Sequence, residues 1–120
     1  MSDTIYALAS GAGTSGVAVI RLSGPAAGPA VERLTGEPPP KPRTASLRRL
    51  RDPVDDSAID EGMVLWFPAP ASYTGEDVAE FQVHGGAAVI EALISALGVM
   101  EACRLAEGYN SAGSPYWAMK

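Results

Sequence analysis

GAGTSGVAVIRLSG, Gly11 to Gly24, admits two readings, and the fold follows from the choice between them. It opens as G-x-G-x-x-G, the turn that cradles a dinucleotide pyrophosphate when a strand leads into it and a helix starts directly after it. TIYALAS upstream reads as a short strand, so the first condition is met. The second is not. Val17, Val19 and Ile20 are β-branched, and Ala18, Ile20 and Leu22 recur at period two, the pattern of a strand entering a core. The acidic residue required about twenty positions on would be Glu37, which sits in EPPPKP, where no strand can end. The glycines are read as a flexible connection between two strands, residues near 4–9 and 17–23. A nucleotide-binding fold built on them would instead start a helix at Gly16 and bind NAD or GTP.

Outward from this pair of strands, Ser23-Gly24-Pro25 reads as a helix start with Ser23 as its cap, and Ala27, Ala30, Val31 and Leu34 supply an apolar face. Gly28-Pro29 weakens the first turn and points to a start at Pro29. Thr35-Gly36 stops the helix, and EPPPKPR is an extended connector. Lys41, Arg43, Arg48, Arg49 and Arg51 put five of the nine basic residues into one short segment. A solvated edge strand is the reading for 41–51, with tRNA contact as its alternative. GMVLWF, Gly62 to Phe67, is a continuous apolar run, as in a strand buried on both faces. PAPASYTG is a loop, EDVAEFQVH a strand, and AAVIEALISALG a helix with Val89, Ile90, Leu93, Ile94 and Leu97 on one stripe. The expected fold is α+β, a small mixed sheet with two or three helices packed on it.

The whole composition agrees with one modest domain. The chain has 120 residues, 47% hydrophobic and 19% charged, so it is globular. A net charge of −5 argues against a chain whose main work is gripping phosphate backbones. Cys103 is the single cysteine, which excludes an internal disulfide and fits a buried thiol in a reducing compartment. MSDTIY has neither the basic nor the apolar region of a signal peptide, and no apolar run reaches the roughly 20 residues of a membrane span. The expectation is a cytoplasmic protein with no membrane contact.

EDVAEFQVH holds the chemistry. Ala79, Phe81 and Val83 point to one face and Val78, Glu80, Gln82 and His84 to the other, where a solvent-facing polar stripe is the plain explanation. Glu80 and His84 are roughly 13 Å apart along the strand. The segment follows an aromatic loop with Trp66, Phe67 and Tyr73, and it ends in Gly85-Gly86, whose bare N–H groups open a helix. Arg21 lies in another, otherwise apolar strand. A flat heterocycle with an anionic tail would use such a set: Glu80 accepting from adjacent donors of a pterin, Arg21 donating to a carbonyl or carboxylate. Arg21 is equally readable as a snorkelling residue paired with an acid. One His and one Cys form no metal cluster, and no nucleophile elbow is present, so His84 is read as structural.

The segments DTIYALASGAGTSGVAVIRLSGPAA, AIDEGMVLWFPAPASYTGEDVAEFQVHGG and CRLAE together resemble the N-terminal domain of the MnmE/TrmE family of tRNA-modification GTPases. The block Trp66 to Gly86 is its most specific part, and the resemblance spans residues 3 to about 107. It implies an aminomethyltransferase-like domain that pairs with a second copy and binds a tetrahydrofolate derivative, 5-formyl- or 5,10-methylene-tetrahydrofolate. It implies Arg21 and Glu80 as the folate-contacting residues. It also implies tRNA, modified at C5 of its wobble uridine, and a FAD-dependent protein as partners, with GTP hydrolysis in a separate domain. An alternative within the resemblance is a structural dimerisation domain whose folate site is dead.

Two departures qualify it. After CRLAE the family continues P-G-E-F-x-x-R-A-F-x-N-x-K, whose lysine contacts folate, whereas GYNSAGSPYWAMK stands here. Lys120 is not equated with that lysine, and 108–120 reads as a divergent tail, truncated or frame-shifted. No G-x-x-x-x-G-K-[ST] phosphate loop occurs, so the expectation for residues 1–107 is binding and dimerisation without GTPase activity.

Overall fold

The computed structural model describes residues 4–9, 16–72, 74–100 and 102–105. The tail 108–120, Tyr73 and most of the glycine turn lie outside the described residues. Six strands and two helices follow in the order β1 (Thr4–Leu8), β2 (Val17–Ser23), α1 (Ala27–Thr35), β3 (Ser46–Arg51), β4 (Ala58–Phe67), β5 (Val78–His84), α2 (Ala87–Gly98) and β6 (Cys103–Leu105).

The strands form one mixed sheet in the order β3-β4-β5-β2-β1-β6, so the α+β expectation holds. Every neighbouring pair is antiparallel except β1 with β6, which is parallel. The period-two pattern of VAVIRLS sets β2: Ala18, Ile20 and Leu22 are fully buried, while Val17 on the other side is 52% exposed. A strand beginning at Val17 leaves no helix after Gly16, which removes the nucleotide-turn alternative. The register then stacks Ile20 on Phe81 and Leu22 on Ala79 across β2–β5, and Val64 on Phe81 across β4–β5.

Both helices cover this same face. Ala27, Ala30, Val31 and Leu34 of α1 join Leu93, Ala96 and Leu97 of α2 in the cluster that includes Ile20, Leu22, Val64 and Phe81. Gly36 closes α1 in the left-handed region at φ 75°, its N–H donating to the Glu32 carbonyl at 2.8 Å. The start of α1 differs from the sequence reading. The helix begins at Ala27, and Pro29 falls in the first turn, where its missing N–H removes no helical bond. Ser23 is not the cap. The Ala26 N–H donates to Oγ1 of Thr4, at 2.6 Å and from another strand, so the helix end is satisfied by β1.

Three further readings are corrected. β4 is not buried on both faces: Val64 faces the core while Met63 on the opposite face is 38% exposed. Trp66 and Phe67 belong to β4 rather than to a loop, and the Trp66 ring packs beside Gly28 of α1. CRL, assigned no structure from sequence, is the edge strand β6. Cys103 within it is buried as expected, and burial pushes its thiol pKa up. The basic segment does supply an edge strand, β3. No helix among the described residues is long and apolar enough to cross a membrane.

Candidate functional site

The face of the sheet opposite the helices gathers the polar residues. Strand alternation puts Val19 and Arg21 of β2 there, with Glu80 and Gln82 of β5 and Leu65 and Phe67 of β4. Arg21 and Glu80 are direct cross-strand partners, so residues 59 apart in sequence meet without any loop having to position them. Nε of Arg21 donates to Oε1 of Glu80 at 3.1 Å, and Nη2 donates to the same oxygen at 2.8 Å. The second carboxylate oxygen, Oε2, accepts from Nε2 of Gln82 at 3.1 Å. Ala7 sits opposite Arg21 on β1, and Leu65 sits opposite Glu80 on β4. The pair is therefore flanked by short or apolar neighbours, and both side chains are largely buried.

This arrangement has a definite acceptor capacity. A carboxylate oxygen offers two lone-pair directions. Oε1 spends both on the guanidinium, while Oε2 gives one to Gln82. One direction on Oε2 is left by these bonds, and the Gln82 amide is the exchangeable occupant of the other.

The loop from Pro68 to Asp77 closes over one end of this face. Its Thr74 Oγ1 shares a 2.6 Å hydrogen bond with Oγ of Ser23, at the end of the strand that carries Arg21. Ser72 Oγ donates to the Glu76 carbonyl and accepts from the Gly75 N–H, and Asp77 Oδ1 accepts from the Ala69 N–H at 2.9 Å. Gly75 takes φ 84°, where a side chain would be strained. Between this loop and β4 lies a hollow of about 390 Å³ lined by Arg43, Phe67, Ala71 and Ser72.

His84 is apart from the pair. Asp60 of β4 accepts from the His84 backbone N–H at 2.9 Å and lies 2.9 Å from Nδ1 through each carboxylate oxygen. Asp60 is well shielded while the His84 ring is exposed. Burial raises the Asp60 pKa, but the hydrogen bonds from His84 and the Glu61 backbone and the His84 charge outweigh it, so the carboxyl is held below its ordinary value. The structural reading of His84 thus acquires a partner that the sequence did not single out. Gln82 and Thr74 were also missed. Both lie within the EDVAEFQVH and YTG segments, but only the cross-strand register reveals what they touch. Among the described residues no cluster of His, Cys, Asp and Glu could hold a metal ion.

Comparison with known proteins agrees with this picture of the chain. The family described as "GTP-binding protein TrmE N-terminus" matches residues 4–108. The chain is 62% identical over 97 residues to the tRNA modification GTPase MnmE of Maricaulis maris, covering 81% of this chain and 22% of that protein. It is 59% identical over 98 residues to MnmE of Paramagnetospirillum magneticum, covering 82% of this chain and 22% of that one. A mitochondrial 5-taurinomethyluridine-tRNA synthase subunit of Danio rerio is 52% identical over 118 residues, which is 98% of this chain and 23% of the relative. The chain thus spans less than a quarter of the length of these relatives.

Proposed function

The chain belongs to the TrmE N-terminal family, part of the tRNA-modification GTPases, and from that premise we propose that it binds a tetrahydrofolate derivative and dimerises. The observation that carries the proposal is the Arg21–Glu80 pair on the uncovered sheet face, with acceptor capacity remaining on Oε2. The residues suit the ligand. Arg21 holds one carboxylate oxygen, so the plane of Glu80 is fixed. The neighbouring N–H and amino donors of a pterin would take the remaining direction on Oε2 and displace the Gln82 amide. Leu65, Val19 and Phe67 offer apolar flanks to the ring. When bound, the folate supplies the one-carbon unit for C5 of a wobble uridine; Arg21 and Glu80 bind and orient it.

In the same reading, the partners are a second copy of this domain, tRNA and a FAD-dependent protein, in the cytoplasm. A second reading, a structural dimerisation domain with a dead folate site, draws on the closure of the pair, since both Nε and Nη2 of Arg21 already fill Oε1. Calorimetric titration with 5-formyltetrahydrofolate separates the two. Saturable binding that is lost in Glu80→Ala supports the site, and absence of binding leaves the structural reading. Sedimentation equilibrium tests the dimer common to both.

A further inference from the structure

A second feature stands on the same uncovered face. Phe67 lies two residues along β4 from Leu65, the residue opposite Glu80, a step of about 7 Å by strand rise. It forms one wall of the hollow whose other walls are Arg43, Ala71 and Ser72. Arg43 is fixed beside β4 from two directions. Its backbone N–H donates to the Trp66 carbonyl at 2.9 Å, and its Nη2 donates to the Ala71 carbonyl at 3.0 Å. Its φ of 62° is a left-handed conformation that a non-glycine residue keeps only where its surroundings impose it.

The electrostatic setting of Arg43 differs from that of its neighbours in charge. Arg21, Arg49 and Arg51 each have a carboxylate within 4.0 Å, while among the described residues Arg43 has only the Ala71 carbonyl as a side-chain partner. A guanidinium carries five N–H donors in a planar fork, so one carbonyl leaves most of that capacity for an anion. Neighbouring strands are about 4.8 Å apart, which sets Arg43, on the far side of β4 from β5, roughly 10 Å from Glu80 across the face. An aromatic wall therefore lies between a carboxylate-centred pair and an outlying guanidinium.

We propose that Phe67 and Arg43 form the subsite for the tail of the folate, Phe67 packing on its aminobenzoyl ring and Arg43 donating to its glutamate carboxylates. The assignment rests on the folate reading above and adds a polarity to it: heterocycle at Arg21–Glu80, anionic end at Arg43. Charge-assisted bonds to a carboxylate make this end the one that esterification would weaken.

The test is a cycle of two proteins and two ligands, read by calorimetry on the 120-residue chain. The wild type and Arg43→Ala are each titrated with 5-formyltetrahydrofolate and with its glutamate dimethyl ester. The wild type is expected to bind the free acid about tenfold or more tighter than the ester, the loss typical of hydrogen bonds to a charged group. Arg43→Ala is expected to bind both at the weaker level. A wild type that binds acid and ester equally overturns the subsite and leaves the folate reading standing. So does an Arg43→Ala protein that still discriminates by the wild-type factor, including one weakened for both ligands by a disturbed loop. A wild type that binds neither ligand removes the folate reading, and the subsite falls with it.

Discussion

Arg21 and Glu80 face each other across the β2–β5 ladder, and both guanidinium N–H groups converge on one carboxylate oxygen. With both side chains largely buried, the pair is a structural element as well as a candidate binding element. Removing one member strands the other in a poorly solvated site. Glu80→Ala is therefore expected to lower unfolding free energy by about 3 kcal/mol, measured by urea denaturation. Replacing both, as Arg21→Met with Glu80→Leu, is expected to recover most of that stability, because no buried charge remains. The same double variant is expected to lose 5-formyltetrahydrofolate binding. A stable double variant that binds folate like the wild type would show that the pair only holds strands together.

Gly62 marks where β4 and β5 approach too closely for a side chain. A Cβ there would lie 2.5 Å from the Gln82 carbonyl oxygen and 3.1 Å from Cγ1 of Val83. The nearer obstacle is backbone within a ladder, so it cannot rotate away. Gly62→Ala is expected to destabilise the chain by about 1–3 kcal/mol, the range for overpacking a tight site. Thermal unfolding checks this, and an unchanged midpoint would mean that the strands separate there at little cost.

Thr4 joins β1 to the start of α1. Its side chain is fully buried, and its Oγ1 accepts the Ala26 N–H that no residue of the helix can satisfy. Thr4→Val keeps the shape and removes the acceptor, leaving a shielded N–H unpaired, at an expected cost of about 1–2 kcal/mol. Thr4→Ser restores the acceptor and is expected to recover part of the loss. Equal denaturation curves for the Val and Ser variants would place the cost in the methyl packing instead.

The sequence was legible where one periodicity acted alone. VAVIRLS could be only a strand once Ala18, Ile20 and Leu22 were taken together, and AAVIEALISALG only a helix. GMVLWF misled because a run without polar residues has no phase. The alternation of buried Val64 and exposed Met63 comes from an uncovered sheet face, which composition does not encode. Ser23 was the local candidate for capping α1, but the acceptor came from Thr4, 22 residues before Ala26. Arg21 and Glu80 were chosen for their chemistry, and their contact required the β2–β5 register. Asp60 gave no signal beside its acidic neighbours until the fold brought it under His84. Long-range pairing, rather than residue type, was the missing information in each case.

That Asp60–His84 contact makes stability depend on acidity. Burial favours the protonated carboxyl, but the His84 backbone N–H, its imidazole and the Glu61 backbone favour the carboxylate more strongly, so the folded pKa lies below the ordinary value. A group whose pKa is depressed by folding binds fewer protons in the native state than in the unfolded one. Its contribution is therefore fully present above the unfolded value of about 3.9 and is lost as pH falls through the lower folded value. Asp55, held down by its hydrogen bonds from Ser57, acts in the same direction and is common to any Asp60 variant. Urea unfolding followed from about pH 6 to about pH 2.5 is expected to show stability falling across the carboxylate range. Asp60→Asn keeps an oxygen for the His84 N–H but has no proton to take up, so its stability is expected to fall less steeply over that window. Parallel curves for the two proteins would place the acid sensitivity elsewhere and leave the contact as packing alone.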